Sequence, residues 1–504
     1  MDWISGLQNV LAFAPLFSIV LGVVIGLVFG AVPGLSATMA VALCLPLTFG
    51  MEPVTAMSLL VSLYIGGVSG GLVSAILIGI PGTPSSIATT FDGRPMALRG
   101  EAGRALGLAI FYSFVGGLIG FAVLFFLAPP LARFALKFGT YEYFAIAVFA
   151  LTLVAGLAGK SLLRGIIAAF LGLLLSTVGF APTDAIPRFT FGVSDLDGGF
   201  ALLPVLLGLF AVTEILNEAL KTPSERSAPP VNFKSPRFPG ATLRDLRENG
   251  WNTLRSGAIG VGVGLLPGIG SSASNLLAYS AARSSSKTPE RYGTGIAPGI
   301  VASETANNAN VGAAMVPLIA LGIPGDSVTA MLLGGLMIHG MQPGPLLFSA
   351  NGPLVYAVFV ALLIANVVML VVSIAGIRVF VRILSVPKSY LLSVVMVTCV
   401  IGAFATNNRV FDVYTLVGFG LLGLALTRLA IPFPPLILGF ILGPLIEVNL
   451  RSALMSSRGE ILPFFERPFT ALFLGLAMAY IVVVTAMRLR RFLNQRRAKA
   501  AARS

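Results

Sequence analysis

Residues 26–38 read GLVFGAVPGLSAT, and residues 260–272 read GVGVGLLPGIGSS. Gly26, Gly30, Pro33 and Gly34 recur at a shift of 234 as Gly260, Gly264, Pro267 and Gly268. A second pair lies downstream. ILIGIPGTPSS at 76–86 matches LIALGIPGDSV at 318–328, with Gly79, Pro81 and Gly82 recurring at a shift of 243 as Gly322, Pro324 and Gly325. The difference of nine between the shifts is an insertion in the second copy, assigned to the polar stretch SSSKTPERYG at 284–293. Two matched Pro-Gly breaks in the same order mark an internal duplication. Each break interrupts an apolar run. Proline removes a helical donor and clashes with the preceding turn, while the glycine beside it reaches backbone conformations other residues avoid. The predicted result is a broken helix or a re-entrant hairpin tip at membrane depth, tolerated only where protein buries it or a watery cavity receives it.

The composition outside these motifs agrees. The chain has 504 residues, of which 56% are hydrophobic and 11% charged, too little charged surface for a soluble protein of this length. Its mean hydropathy is +0.93. Apolar runs at 106–128, 354–384 and 468–487 approach the roughly 20 residues that span a bilayer as helix. The 57 glycines and 32 prolines sit within such runs, where neighbouring helices re-satisfy freed backbone groups. The expected fold is an all-α polytopic membrane protein of roughly 10–12 spanning helices. The net charge of +13 does not read as a nucleic-acid site. Basic residues cluster between 221 and 247 and again from Arg488, the positive-inside pattern of cytoplasmic segments. Cys44 and Cys399 lie alone in apolar runs, which excludes a disulfide framework and a thiolate metal site. GLAGKS at 156–161 lacks the first glycine of a phosphate loop, since Val154 stands there, and no nucleophile elbow or dinucleotide fingerprint is present. Enzyme chemistry is not expected, and no cofactor is.

Loop charges give an orientation. In copy one, the loop from Phe49 to Pro53 carries only Glu52, whereas the stretch after the second break carries Arg94, Arg99 and Arg104. Copy two reverses this. Arg283, Lys287 and Arg291 lie between its elements, and no Lys or Arg occurs from His339 to Pro353. Corresponding loops thus face opposite sides, and the copies are expected to be inverted, each with a re-entrant hairpin and a Pro-Gly-broken helix. The predicted organisation is a first transmembrane half at 1–218, a cytoplasmic linker at 219–253, a second half at 254–487 and a basic cytoplasmic tail at 488–504, with a periplasmic N-terminus.

Paired Pro/Gly-interrupted segments in corresponding places of two halves are the sequence mark of a secondary transporter's binding region. An elongated organic anion needs donors that cost little to present, and helix N-termini at midplane supply them. The residues after each break suit this role: Gly34, Ser36 and Thr38; Thr83, Ser85 and Ser86; Gly268, Ser271, Ser272, Ser274 and Asn275; and Ser327 with Thr329. Gly22, Gly26 and Gly30 read instead as packing glycines. Ionisable residues in the apolar zone are candidates for coupling to a sodium ion or a proton. Glu304, beside Asn307, Asn308 and Asn310, and Asp326, in GIPGDSV, are best placed. Three asparagines are costly to bury unsatisfied and predict a polar cavity. Asp92 is expected to pair with neighbouring Arg94, and His339 to have no special role.

These stretches resemble the TctA-type large transmembrane subunit of tripartite tricarboxylate transporters. The resemblance is carried by residues 26–53, by GGVSGGLVSAILIGIPGTPSSIATTFDGRPMALRGEAGRALG at 66–107, by residues 260–295, by SETANNANVGAAMVPLIALGIPGDSVTAMLLGGL at 303–336 and by HGMQPGPLLF at 339–348. It implies about a dozen helices, a small TctB-like membrane subunit, a TctC-like periplasmic protein that delivers solute, and coupling to a cation gradient for uptake of citrate-like carboxylates across the bacterial inner membrane. One departure stands out. The family often carries an acid where IAPGIVASE has Pro298, so no cation role carries over to that position. The alternatives are the large subunit of another binding-protein-dependent dicarboxylate transporter with inverted repeats, or a membrane-embedded enzyme or sensor.

Overall fold

The computed structural model describes residues 2–157, 161–220, 243–268, 270–383 and 388–501. In chain order the helices are α1 (Asp2–Val10), α2 (Phe13–Ala31), α3 (Ala37–Cys44), α4 (Pro53–Leu77), α5 (Ile87–Met96), α6 (Ala102–Ala135), α7 (Thr140–Leu157), α8 (Leu162–Ser176) and α9 (Leu202–Ala219). They continue as α10 (Leu243–Gly264), α11 (Gly270–Ser284), α12 (Ala297–Leu321), α13 (Ser327–Ile338), α14 (Leu346–Ile383), α15 (Lys388–Asn407), α16 (Val410–Arg428), α17 (Phe433–Ser456) and α18 (Pro468–Ala501). The β-structure among the described residues is one short hairpin, with Gly179–Phe180 antiparallel to Pro187–Arg188. Eight described helices are long and apolar enough to cross a bilayer, and five shorter apolar helices accompany them. The chain is an all-α, multi-pass membrane protein.

Both duplicated elements fold alike. In copy one α2 breaks at Pro33-Gly34 and resumes as α3; in copy two α10 breaks at Pro267-Gly268 and resumes as α11. The next elements, α4 and α12, are each 25 residues long, each starts with proline in its first turn after an extended residue, and each runs into an Ile-Pro-Gly break. Corresponding glycines adopt the same left-handed backbone: Gly34 and Gly268 have φ of 89° and 78°, Gly79 and Gly322 have 72° and 73°. A side chain is strained there, which is why the duplicated positions remain glycine. Packing repeats as well. A Cβ on Gly26 would lie 2.6 Å from the Leu63 carbonyl oxygen of α4, and one on Gly260 would lie 2.4 Å from the Ala306 carbonyl oxygen of α12. Bare glycines therefore set the close approach of α2 to α4 and of α10 to α12.

The chain forms two compact units. One holds residues 1–136 and 201–425, and so contains all four Pro-Gly breaks; α4 is buried within it from Thr55 to Leu77. The start of α12 lies against the end of α5, since a Cβ on Gly295 would come within 2.8 Å of the Met96 nitrogen. At the opposite ends, α13 lies against the start of α4, where a Cβ on Gly335 would meet Leu60 at 2.6 Å. The other unit holds residues 137–200 and 426–504. Its hairpin is fixed to α17 by Arg188–Glu447 at 2.7 Å, Arg451–Asp184 at 2.8 Å and Arg451–Glu447 at 3.0 Å. The Arg451 hydrogen bond holds the exposed Asp184 carboxyl below its ordinary value. Residues 221–242 of the expected linker, and 158–160 of GLAGKS, lie outside the described residues. From Leu243 onward the stretch expected to be linker is already helix, and α18 continues through the basic tail to Ala501.

Candidate functional site

The polar residues of α12 form the interior of the first unit. Ser303, Glu304, Thr305, Asn307, Asn308 and Asn310 are all buried. Glu304 is 0% exposed, and its carboxylate accepts hydrogen bonds from Thr89 Oγ1 of α5 and from Ser113 Oγ of α6 at 2.8 Å. No lysine or arginine among the described residues pairs with it. Ser303 Oγ lies 3.2 Å from Thr89 Oγ1. Asn308 is spanned on both sides, donating to the Glu304 carbonyl at 3.1 Å and accepting from Ser69 Oγ of α4 at 2.7 Å. Asn307, one turn beyond Glu304, lies near that carboxylate, yet neither of its amide atoms closes a hydrogen bond. Thr305 Oγ1 and Asn310 Oδ1 are likewise unpartnered. A buried carboxylate with hydroxyl donors and no countercharge favours a proton or a small cation, because either removes the cost of an uncompensated charge.

The breaks meet. Within copy two the Gly268 N–H donates to the Gly325 carbonyl at 2.7 Å, and across the copies the Thr38 and Ser327 hydroxyls lie 3.0 Å apart. Asp326 caps α13 by accepting from the Thr329 N–H at 2.8 Å, and its other oxygen accepts from Tyr64 OH of α4 at 2.5 Å. The arrangement is reciprocal. Helix α3 of copy one packs on α13 of copy two, and α11 of copy two packs on α5 and the turn before it in copy one. At that second crossing Asn275 accepts from the Ala88 N–H at 2.7 Å and donates to the Ser303 carbonyl at 3.3 Å. A side chain from one copy thus caps a helix of the other.

The remaining candidates are distributed around these crossings. Gly34 is exposed at its break, and the Ser36 hydroxyl caps α3 by accepting from the Met39 N–H at 3.2 Å. Thr83, Ser85 and Ser86 are buried in a single turn, with Thr83 and Ser85 hydroxyls 2.8 Å apart and Ser86 donating to the Thr83 carbonyl at 2.9 Å. Ser274 is buried and reaches the Ala306 carbonyl at 3.3 Å. Ser271 and Ser272 are half-buried on the first turn of α11, and their hydroxyls make no hydrogen bond among the described residues. Glu304, Asn307 and Asn308 share one cluster, while Asp326 stands at the other crossing with Thr38 and Tyr64. Sequence reasoning missed Thr89, Ser113, Ser69 and Tyr64, whose partners are 191 to 262 positions away. No group of three or more His, Cys, Asp or Glu among the described residues is placed to hold a metal ion.

Asp92 corrects an expectation. It does not pair with Arg94, which donates to the Leu77 carbonyl. Two residues apart on a helix, they point in different directions. Asp92 is instead fully buried, and one of its oxygens accepts the N–H groups of Gly293, Gly295 and Ile296 at 3.0, 2.7 and 3.0 Å. Its other oxygen accepts from Tyr279 OH at 2.9 Å. Copy one thereby clamps the segment that leads into α12.

A multi-pass helical protein whose paired broken helices meet around a buried, polar, charge-bearing interior has the build of a membrane transport protein. Residues 16–438 match the tripartite tricarboxylate transporter TctA family. The chain belongs to that family, and is a large transmembrane subunit of the tripartite tricarboxylate transporter type. It is 35% identical over 487 residues, 96% of each chain, to an uncharacterized 52.8 kDa protein in the TAR-I ttuC' 3' region of Agrobacterium vitis. It is also 34% identical over 221 residues, 44% of this chain and 91% of the other, to an uncharacterized protein in the TAR-II ttuC' 3' region of the same organism. No solved structure matches.

Proposed function

We propose that this chain is the membrane-embedded pathway of a cation-gradient-driven uptake system for tricarboxylates or related organic acid anions. It takes solute from a periplasmic binding protein, works with a small membrane subunit, and sits in the bacterial inner membrane with its linker and C-terminus in the cytoplasm and its N-terminus outside. It works by binding and conformational change, without covalent chemistry. The observation that carries the reading is Glu304, a fully buried carboxylate held by Thr89 and Ser113 beside the partnerless Asn307 amide. There it takes a sodium ion or a proton beside Asn307 and Asn308, and Asp326 at the other crossing is a second coupling candidate. The substrate carboxylates lie at the broken-helix tips, against Gly34, Ser36, Thr38, Thr83, Ser85, Ser86, Gly268, Ser271, Ser272 and Asn275. The inverted arrangement is supported by the way α12 starts where α5 ends and α13 lies by the start of α4.

The test is citrate uptake into proteoliposomes holding the chain with its two partners, under sodium or pH gradients. Glu304→Gln keeps size and removes charge. Gradient-driven uptake should fall about 10- to 100-fold, the weight of one charge-assisted contact. Citrate exchange at equal ion concentrations should survive. Full gradient-driven transport by the variant would return Glu304 to a purely structural role.

A further inference from the structure

A cavity of about 350 Å³ opens where the chain after α5 meets the segment entering α12, within the size range of small-molecule sites. Arg99 and Arg104 from copy one and Arg291 from copy two line it, with Glu101 as the one carboxylate among its described lining residues. Thr288 and Thr294 add hydroxyls. Arg99 is tied to the Gly295 carbonyl, and Arg104 pairs with Asp245 at 3.3 Å while remaining half exposed. Among the described residues the exposed Arg291 guanidinium has no ion-pair partner. Solvated arginines are ordinary in a basic loop. Here they converge from two distant stretches on one concave wall, and that wall is fixed from behind by the three N–H bonds to Asp92. The wall also includes Ile296, Ala297 and Pro298, where α12 begins.

Glu304 stands seven residues further along the same helix, roughly 10 Å at 1.5 Å per residue. We propose that this cavity is a polycarboxylate site, the station at which the transported anion pauses between the buried core and the cytoplasm. The release role rests on the transport reading above; the anion site itself does not. Arginines suit such a ligand because the planar guanidinium meets a carboxylate through two parallel bonds.

Arginine footprinting tests the site on the purified full-length protein. Modification by p-hydroxyphenylglyoxal is followed residue by residue by mass spectrometry, with citrate, inorganic phosphate or glycerol added. Citrate should slow modification of Arg291 and Arg104 about tenfold, the scale of one charge-assisted hydrogen bond. Arg164 and Arg458, exposed elsewhere, should react at unchanged rates. Equal rates at Arg291 with and without citrate overturn the site, and protection by phosphate equal to that by citrate overturns its assignment to carboxylates. In proteoliposomes, Arg291→Gln should raise the half-saturating citrate concentration on the cytoplasmic face about tenfold and leave the outer face unchanged. Equal shifts on both faces overturn the release role. Wild-type protein that shows protection but moves no citrate counts against the transport reading and supports the anion site alone.

Discussion

Replacing Asp92 with alanine strips the acceptor from four donors at once, and the structure says which losses matter. Gly293 is exposed, so water takes over its bond. Gly295 and Tyr279 are buried, and each orphaned donor there costs about 1–3 kcal/mol. Two such losses sum to roughly 2–6 kcal/mol. With about 3 kcal/mol of that felt by the 293–296 segment alone, its opening becomes roughly 100-fold more frequent. Hydrogen exchange of a peptide covering residues 289–299, measured by mass spectrometry in detergent, reads that opening directly. Asp92→Ala should speed exchange at Gly295 and Ile296 by about two orders of magnitude. Asp92→Asn keeps one acceptor and loses the charge, and should land near tenfold. Peptides from α17 should be unaffected in both variants. Exchange within twofold of wild type in Asp92→Ala would refute the clamp, because no other group among the described residues accepts from those three N–H groups together.

Three further outcomes are expected. In a background lacking Cys44 and Cys399, single cysteines at Glu52 and Gln342 should react with an impermeant reagent from outside, and cysteines at Arg99 and Lys287 only after cells are opened; same-side labelling of Arg99 and Gln342 sinks the inverted reading. Gly268→Val forces a branched side chain into φ of 78° and should abolish citrate uptake with insertion intact, whereas Ser272→Ala or Ser85→Ala should weaken uptake about 2- to 10-fold and Ser373→Ala hardly at all. Normal uptake by Gly268→Val would place the binding region elsewhere. Gly30→Val brings its Cβ to 2.3 Å from the Gly67 carbonyl oxygen, so thermal stability in detergent should drop by about 1–3 kcal/mol or more, and an unchanged melting curve would show that α2 and α4 yield easily.

The breaks at Pro33, Pro81, Pro267 and Pro324 were legible in the sequence because proline and glycine act locally, and the duplication supplied each with a second witness. Glu304 beside three asparagines was legible for a similar reason: polar residues in an apolar run are conspicuous whatever surrounds them. Their partners were not. Thr89 and Ser113 look like any hydroxyl in a membrane helix until α5 and α6 are laid against α12. The place of Asn275 after a break is plain from the sequence, whereas its bonds to Ala88 and Ser303 depend on where α11 crosses the other copy. Asp92 was not legible, because its partners lie 187 to 204 residues away and its sequence neighbour Arg94 turns elsewhere. The motifs also named only the repeated elements. They gave no hint that residues 137–200, which follow copy one, would gather with residues 426–504, which follow copy two.

The clamp and the crossed caps bear on how the protein is made. Asp92 waits for donors 201, 203 and 204 residues further on, Ala88 for an acceptor 187 residues later, and Thr89 for one 215 residues later. At about 5–20 residues per second, synthesis of the missing stretch takes on the order of 10–40 s. Throughout that interval the early half is inserted yet carries a carboxylate, a helix start and a hydroxyl whose final partners do not exist. Lipid cannot satisfy them, so water or the insertion machinery must hold them open. Each half is then an unfinished piece, and expressing residues 1–220 and 221–504 as separate chains should restore a working protein only when both are made together.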